Sequence, residues 1–146
     1  RAWLVPIAAL VVLEQVQTPE TYHRQPVRET TMGLAQRIPP DCSAFFYSSS
    51  NPEELPHHVH LDAMWAAMET GVPTINGYSG GAPPQWRLKE AVEQVSNGGA
   101  DLREGLRWWI TTRRIPEAVC WIRWNGDRDH PAAVERLQGR PIAPGA

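Results

Sequence analysis

Three short runs in this chain are apolar on both faces: residues 42–47 (CSAFFY), 72–75 (VPTI) and 118–124 (AVCWIRW), the last broken only by Arg123. A strand with one wet face alternates apolar and polar residues, so strands that do not alternate have to be covered on both sides. The segments between them read as helices. Residues 27–38 set Val27, Met32, Leu34 and Ile38 among charges and are ended by Pro39 and Pro40. Leu61, Met64, Trp65 and Met68 fall at i, i+3, i+4 and i+7, an amphipathic helix stopped by Gly71. Residues 87–96 predict a further helix ending at Asn97, Gly98 and Gly99. Asp101 then stands as an N-cap ahead of Leu102, Leu106, Trp109 and Ile110, with Arg113 and Arg114 in the last turn and Pro116 as the breaker. Strands of this kind separated by helices predict an α/β fold: a small three-layer sandwich whose short, mostly parallel sheet is covered by helices.

The length of 146 residues suits one domain, and 42% apolar with 21% charged residues excludes wholesale disorder. A net charge of −2 gives no general attraction for nucleic acid, which is not an expected partner. All the basic residues but Lys89 are Arg, a skew that reads as genome base composition before it reads as phosphate chemistry. Residues 2–13 (AWLVPIAALVVL) are apolar throughout, but a bilayer span needs about twenty such residues. No small-x-small cleavage site follows, as a signal peptide requires. The run is expected to be the last turns of a transmembrane helix that begins upstream, with a buried strand or core helix as the plainer option. The expected organisation is the end of a membrane helix over 1–16, a connector over 17–26, an extracytoplasmic α/β domain over 27–126 and a flexible tail over 127–146.

In an open α/β sheet ligands bind beyond the carboxyl ends of the strands. Those ends carry residues 48–51, 76–81 and 125–129. The middle segment joins Gly77, Gly80 and Gly81 to Asn76, Tyr78 and Ser79, whose amide and hydroxyl groups suit sugar or phosphate oxygens, and Trp86 follows as a stacking surface. The same residues also suit a tight structural loop that satisfies its own backbone. His57, His58 and His60 with Asp62 are the one cluster resembling metal chemistry, though no matching ligand pair stands elsewhere and no metal is expected. A solvated helix start, with Asp62 favoured by the dipole, is the plainer reading. Ser79 sits in GYSGG, matching the G-x-S-x-G elbow of serine hydrolases, but Pro83 and Pro84 block the helix that should follow. Its acid and base would have to be Asp127 or Asp129 with His130. Cys42 and Cys120 either pair or serve as small core residues. Trp108 and Trp109 read as core, or Trp108 as a membrane-interface residue.

Residues 60–86, HLDAMWAAMETGVPTINGYSGGAPPQW, resemble a segment in the C-terminal extracytoplasmic region of large bacterial polytopic membrane proteins. These are described either as hypothetical membrane proteins or as glycosyltransferases of the GT-C type, similar to dolichyl-phosphate-mannose mannosyltransferases. The layout agrees elsewhere, with a final membrane helix ending near Glu14 and Gln15 and a D-C-x-A-F strand over 41–45. The resemblance implies a parent protein in the bacterial inner membrane that uses a lipid-linked sugar. Its catalytic acid lies in an early membrane loop, so no catalytic residue of the family maps onto this chain and no cofactor is implied. Asp62, Asn76, Tyr78, Ser79 and Trp86 then line a substrate site for a glycan or polyprenyl-linked acceptor, and the upstream membrane domain is the partner. Against this accessory role stand two alternatives: a hydrolase of its own, using Ser79 or the His57/His58/His60/Asp62 cluster, and a purely structural domain.

Overall fold

The computed structural model describes residues 4–15, 24–77, 83–93, 99–115, 118–127 and 129–139. In chain order these form α1 (Leu4–Gln15), α2 (Arg24–Ala35), β1 (Ala44–Ser49), α3 (Pro56–Thr70), α4 (Ala100–Thr112), β2 (Val119–Trp124) and β3 (Ala133–Leu137). The fold is α/β, with a three-stranded sheet in the order β1-β2-β3. β1 and β2 run parallel, from Ala44 opposite Val119 to Ser49 opposite Trp124. β2 and β3 run antiparallel, so the sheet is mixed rather than mostly parallel.

Two differences from expectation explain that result. Residues 72–75 do not form a strand; they touch β1 through a single bridge, Thr74 to Phe45. Pro73 has no N–H to give a ladder and offers only its carbonyl, which accepts from Phe45 N at 2.9 Å. The third strand comes instead from the expected tail, where residues 133–137 return along β2. An antiparallel return needs no crossover, and it buries Leu137 while leaving Ala133, Val134 and Arg136 outside.

The pleat sorts the side chains. Phe46, Ser48, Trp121 and Arg123 stand on one face; Phe45, Tyr47, Cys120, Ile122 and Trp124 stand on the other. α2 meets the second face, where a Cβ on Gly33 would lie only 2.8 Å from the Trp124 ring. α4 serves the first, with Gly99 against Trp121 and Arg103 bonded to Glu135 at 2.8 Å. Cys42, two residues ahead of β1, is disulfide-bonded to Cys120 of β2 across a Cα separation of 5.8 Å.

The helices depart from their sequence patterns in instructive ways. α2 starts at Arg24 and absorbs the end of the expected connector, since Pro26 is tolerated in a first turn. α3 ends at Gly71 as predicted, with φ 73° and its N–H on the Ala67 carbonyl. Its orientation is the surprise. Val59, His60, Ala63 and Ala66 face inward, whereas Met64, Trp65 and Met68 are 39%, 51% and 75% exposed. The small alanines let the α3 backbone approach α2 and β1, and close backbone approach outweighs the area of the large stripe. In α4, Gly99 in a left-handed conformation takes the cap position, and Asp101 lies in the first turn. Leu102, Leu106 and Ile110 are buried as expected, with Trp109 partly so. The expected helix over 87–96 is absent from its described part: Leu88, Ala91 and Val92 are buried, but Val92 is extended and bridges Ser49. Pro116 lies outside the described residues.

α1 spans twelve residues and is exposed at Ile7, Leu10, Val11, Val12 and Leu13. No described helix is long and apolar enough to cross a membrane.

Candidate functional site

The free edge of β1 organises this region. An unpaired strand edge leaves alternate N–H and C=O groups without partners, and three different devices meet them here. At Phe45, the backbone of 73–75 serves: Phe45 N–H donates to Pro73 O, and Ile75 N–H donates to Phe45 O at 2.8 Å. At Ser49, residues 91 and 93 serve: Ser49 N–H donates to Ala91 O at 2.9 Å, and Glu93 N–H donates to Ser49 O at 3.0 Å. Between them, at Tyr47, the partner is a side chain. Asn76 Oδ1 accepts from Tyr47 N–H at 2.7 Å, and Asn76 Nδ2 donates to Tyr47 O at 2.9 Å. The carboxamide stands in for a peptide unit of the missing strand.

Asn76 has further partners. Its Oδ1 lies 3.1 Å from the Thr74 hydroxyl, whose single proton is shared with the Phe45 carbonyl at 3.2 Å, and its Nδ2 lies 3.2 Å from His60 Nδ1. A carboxamide offers two donor hydrogens and two acceptor lone pairs; both hydrogens are in use, and Oδ1 accepts from Tyr47 N–H and shares the Thr74 proton. His60 is buried, and its Nε2 lies 3.0 Å from the Lys89 carbonyl. A carbonyl only accepts, so Nε2 carries the proton and Nδ1 accepts from Asn76. The ring is neutral, and burial holds its pKa below the ordinary histidine range against the opposing pull of the Lys89 carbonyl and the Glu90 carboxylate. Trp86 packs on it, with ring centroids 5.3 Å apart. One histidine of α3 thus grips both Asn76 and the 86–89 segment, which lie on either side of residues 77–85.

A polar cluster stands at the carboxyl end of the same strand. Asp62 is half-buried, and desolvation, reinforced by the Glu54 carboxylate, pushes its pKa up to about 6 against the opposing effect of His58. His58 Nδ1 lies 3.3 Å from Glu54 Oε1. Burial, together with the charges of Asp62 and Glu54, holds the Tyr47 phenol protonated, and its hydroxyl donates to Trp124 O at 3.4 Å. On the opposite face, the buried Ser48 hydroxyl accepts from Trp121 Nε1 at 2.8 Å and donates to Glu93 Oε1 at 3.1 Å. Burial raises the Glu93 pKa, partly offset by the Ser48 bond and by Arg123.

The predicted residues therefore divide. Asn76, Asp62 and Trp86 gather about β1 and α3, while Tyr78 and Ser79 lie outside the described residues. Asn76 and His60 are saturated within the fold. The histidine cluster is scattered: His60 turns inward, His58 turns to Glu54, and His57 stacks edgewise on His58 at 4.4 Å. No group of three or more ligands that could hold a metal ion occurs among the described residues. Residues 83–86 form a turn, with Trp86 N–H on Pro83 O, so the helix of a nucleophile elbow is not found there. Asp127 and His130 pair at 2.7 Å in an exposed turn. Trp108 and Trp109 are half-buried, and Arg113 covers Trp109 at 4.4 Å. Ser48 lies in the 48–51 strand end that the sequence marked; Tyr47, Glu54 and Glu93 were not singled out by sequence. The chain matches no family model, and comparison with curated proteins and with solved structures finds no match.

Proposed function

We propose that the chain is an accessory, extracytoplasmic α/β domain of a membrane glycosyltransferase-like protein, which positions a glycan or a polyprenyl-linked acceptor while the catalytic centre lies elsewhere. One observation carries the reading. The residues that flank the polar, glycine-rich sequence 77–85 meet at His60: Asn76 before it, and Trp86 and the Lys89 carbonyl after it. A recognition segment held on a rigid base loses less entropy on binding than a free one. Its base stands beside β1, near the strand end where α/β folds place ligands. The Cys42–Cys120 disulfide supports an oxidising compartment. The exposed apolar surface of α1 supports a setting close to a membrane.

In this reading Tyr78, Ser79 and Trp86 are the residues that bind the glycan, Asp62 supplies a carboxyl at the edge of the site, and Asn76 holds the base. A second reading, a purely structural domain, is favoured by the saturation of Asn76, which leaves that amide nothing to offer a ligand. Tyr78→Ala and Trp86→Ala separate the two. The glycan reading expects each to weaken binding of oligosaccharides, by calorimetry, about tenfold, the loss of one stacking contact of about 1.4 kcal/mol. The melting temperature of Tyr78→Ala then stays near the parent's, whereas Trp86→Ala also loses its packing on His60 and melts somewhat lower while remaining folded. No binding by the parent chain, or a loss of folding in both variants, supports the structural reading.

A further inference from the structure

We propose that His60 is a pH-sensitive fastener whose protonation detaches Asn76 from the edge of β1. The neutral ring makes two bonds of opposite sense: Nε2–H donates to Lys89 O, and Nδ1 accepts from Asn76 Nδ2. A proton added to the ring goes to Nδ1 and sets an N–H against the N–H of Asn76. Asn76 cannot answer by turning its amide over. Its Oδ1 already accepts from Tyr47 N–H and the Thr74 hydroxyl, and its Nδ2 donates to Tyr47 O. Turning would put donor against donor and acceptor against acceptor at Tyr47. The doubly protonated ring and the β1 edge pairing are therefore incompatible, and one of them yields.

The charged groups on the surrounding segments do not rescue the pairing. Glu90, on the 83–93 segment, is the carboxylate whose charge acts on the ring, and it favours the proton. Lys89 offers only its carbonyl to the ring. Residues 74–76 carry no charge. On α3, His58 is engaged with Glu54, and from β1 the Tyr47 phenol stays protonated. Asp62, with its pKa raised to about 6, also takes up a proton as pH falls, so a test has to separate it from His60.

The design of the edge supplies an internal control. Phe45, Tyr47 and Ser49 send their N–H groups to the free edge, whereas Ser50 N–H reaches Trp124 O on the β2 side. By alternation, Phe46 and Ser48 face β2. The experiment is residue-resolved hydrogen exchange of the whole chain from pH 7.5 to 5, corrected for the intrinsic pH dependence of exchange, with the ring nitrogens of His60 followed by NMR in the same samples. Protection at Tyr47 is expected to fall about tenfold per pH unit once the His60 ring gains its proton, while Phe46 and Ser48 keep theirs. In His60→Gln the Tyr47 protection becomes independent of pH; in Asp62→Asn the fall persists. A protonated His60 ring with Tyr47 protection unchanged, or a fall that vanishes in Asp62→Asn, overturns the proposal. So does a Tyr47 loss matched at Phe46 and Ser48. If His60→Gln does not fold, the parent and Asp62→Asn still decide. The readout is the strand edge and not ligand binding, so it stands or falls apart from the glycan reading.

Discussion

Asp62 shows what a single carboxyl reveals about its surroundings. Its folded-state pKa of about 6 lies above the unfolded value near 4, so the fold prefers the protonated acid. The unfolded chain releases that proton first as pH rises. Stability is therefore lost from about pH 4 to pH 6 on account of this group, and the loss is complete above pH 6. Asp62→Asn is expected to flatten that part of the profile and to raise stability at pH 7 by about 1–2 kcal/mol, with partial exposure discounted. Urea titrations of both proteins at pH 4 and pH 7 check it; equal gains at the two pH values would sink the assignment. His60 acts in the opposite sense, since its lowered pKa costs stability as pH falls below about 6.5.

At the scale of the element, α3 separates what pattern reveals from what packing decides. Its existence and its stop at Gly71 follow from local chemistry, and both were legible in the sequence. Its orientation was not: the stripe of Met64, Trp65 and Met68 is the larger apolar surface, yet the helix turns Ala63 and Ala66 inward. Local periodicity weighs area, whereas the choice here rests on how closely α2 and β1 approach, a tertiary property. Trp65→Gln should thus change stability by no more than about 0.5 kcal/mol, while Ala66→Leu should cost about 2 kcal/mol or more through overpacking. Chemical denaturation distinguishes them, and the reverse order would contradict the assigned face. The strands tell a similar story. β1 and β2 were readable because both of their faces are covered. β3 was missed because an edge strand such as AVERL carries only one buried anchor, Leu137. The segment around Leu88, Ala91 and Val92 has helical spacing, but the unpaired edge at Ser49 draws it out straight. The candidate site was half legible: glycines and polar groups marked 76–86, but no local signal foretold that the Asn76 carboxamide would complete a ladder or that His60 would hold it.

For the whole molecule, the disulfide is the strongest single constraint. It joins residues 78 apart, from the approach to β1 to the central strand. A loop of that length is worth about 4.5 kcal/mol in the chain-entropy account. The paired change Cys42→Ala with Cys120→Ala is expected to lower stability by about that amount, as is complete reduction, both measured by urea unfolding. A loss below about 1 kcal/mol would mean that the helices and sheet hold the fold without the bond. Such a result would also weaken the argument for an oxidising compartment.

The proposed function places a glycan against the base formed by β1, Asn76 and Trp86. The most direct test is a backbone amide and tryptophan indole NMR titration of the chain with neutral and acidic oligosaccharides and with a polyprenyl-phosphate sugar in detergent. The account predicts saturable shifts at the Trp86 indole and at the Asn76 and Gly77 amides, with β3 and the exposed face of α3 unmoved. Absence of saturable shifts with every ligand, or shifts confined to α4, would contradict it.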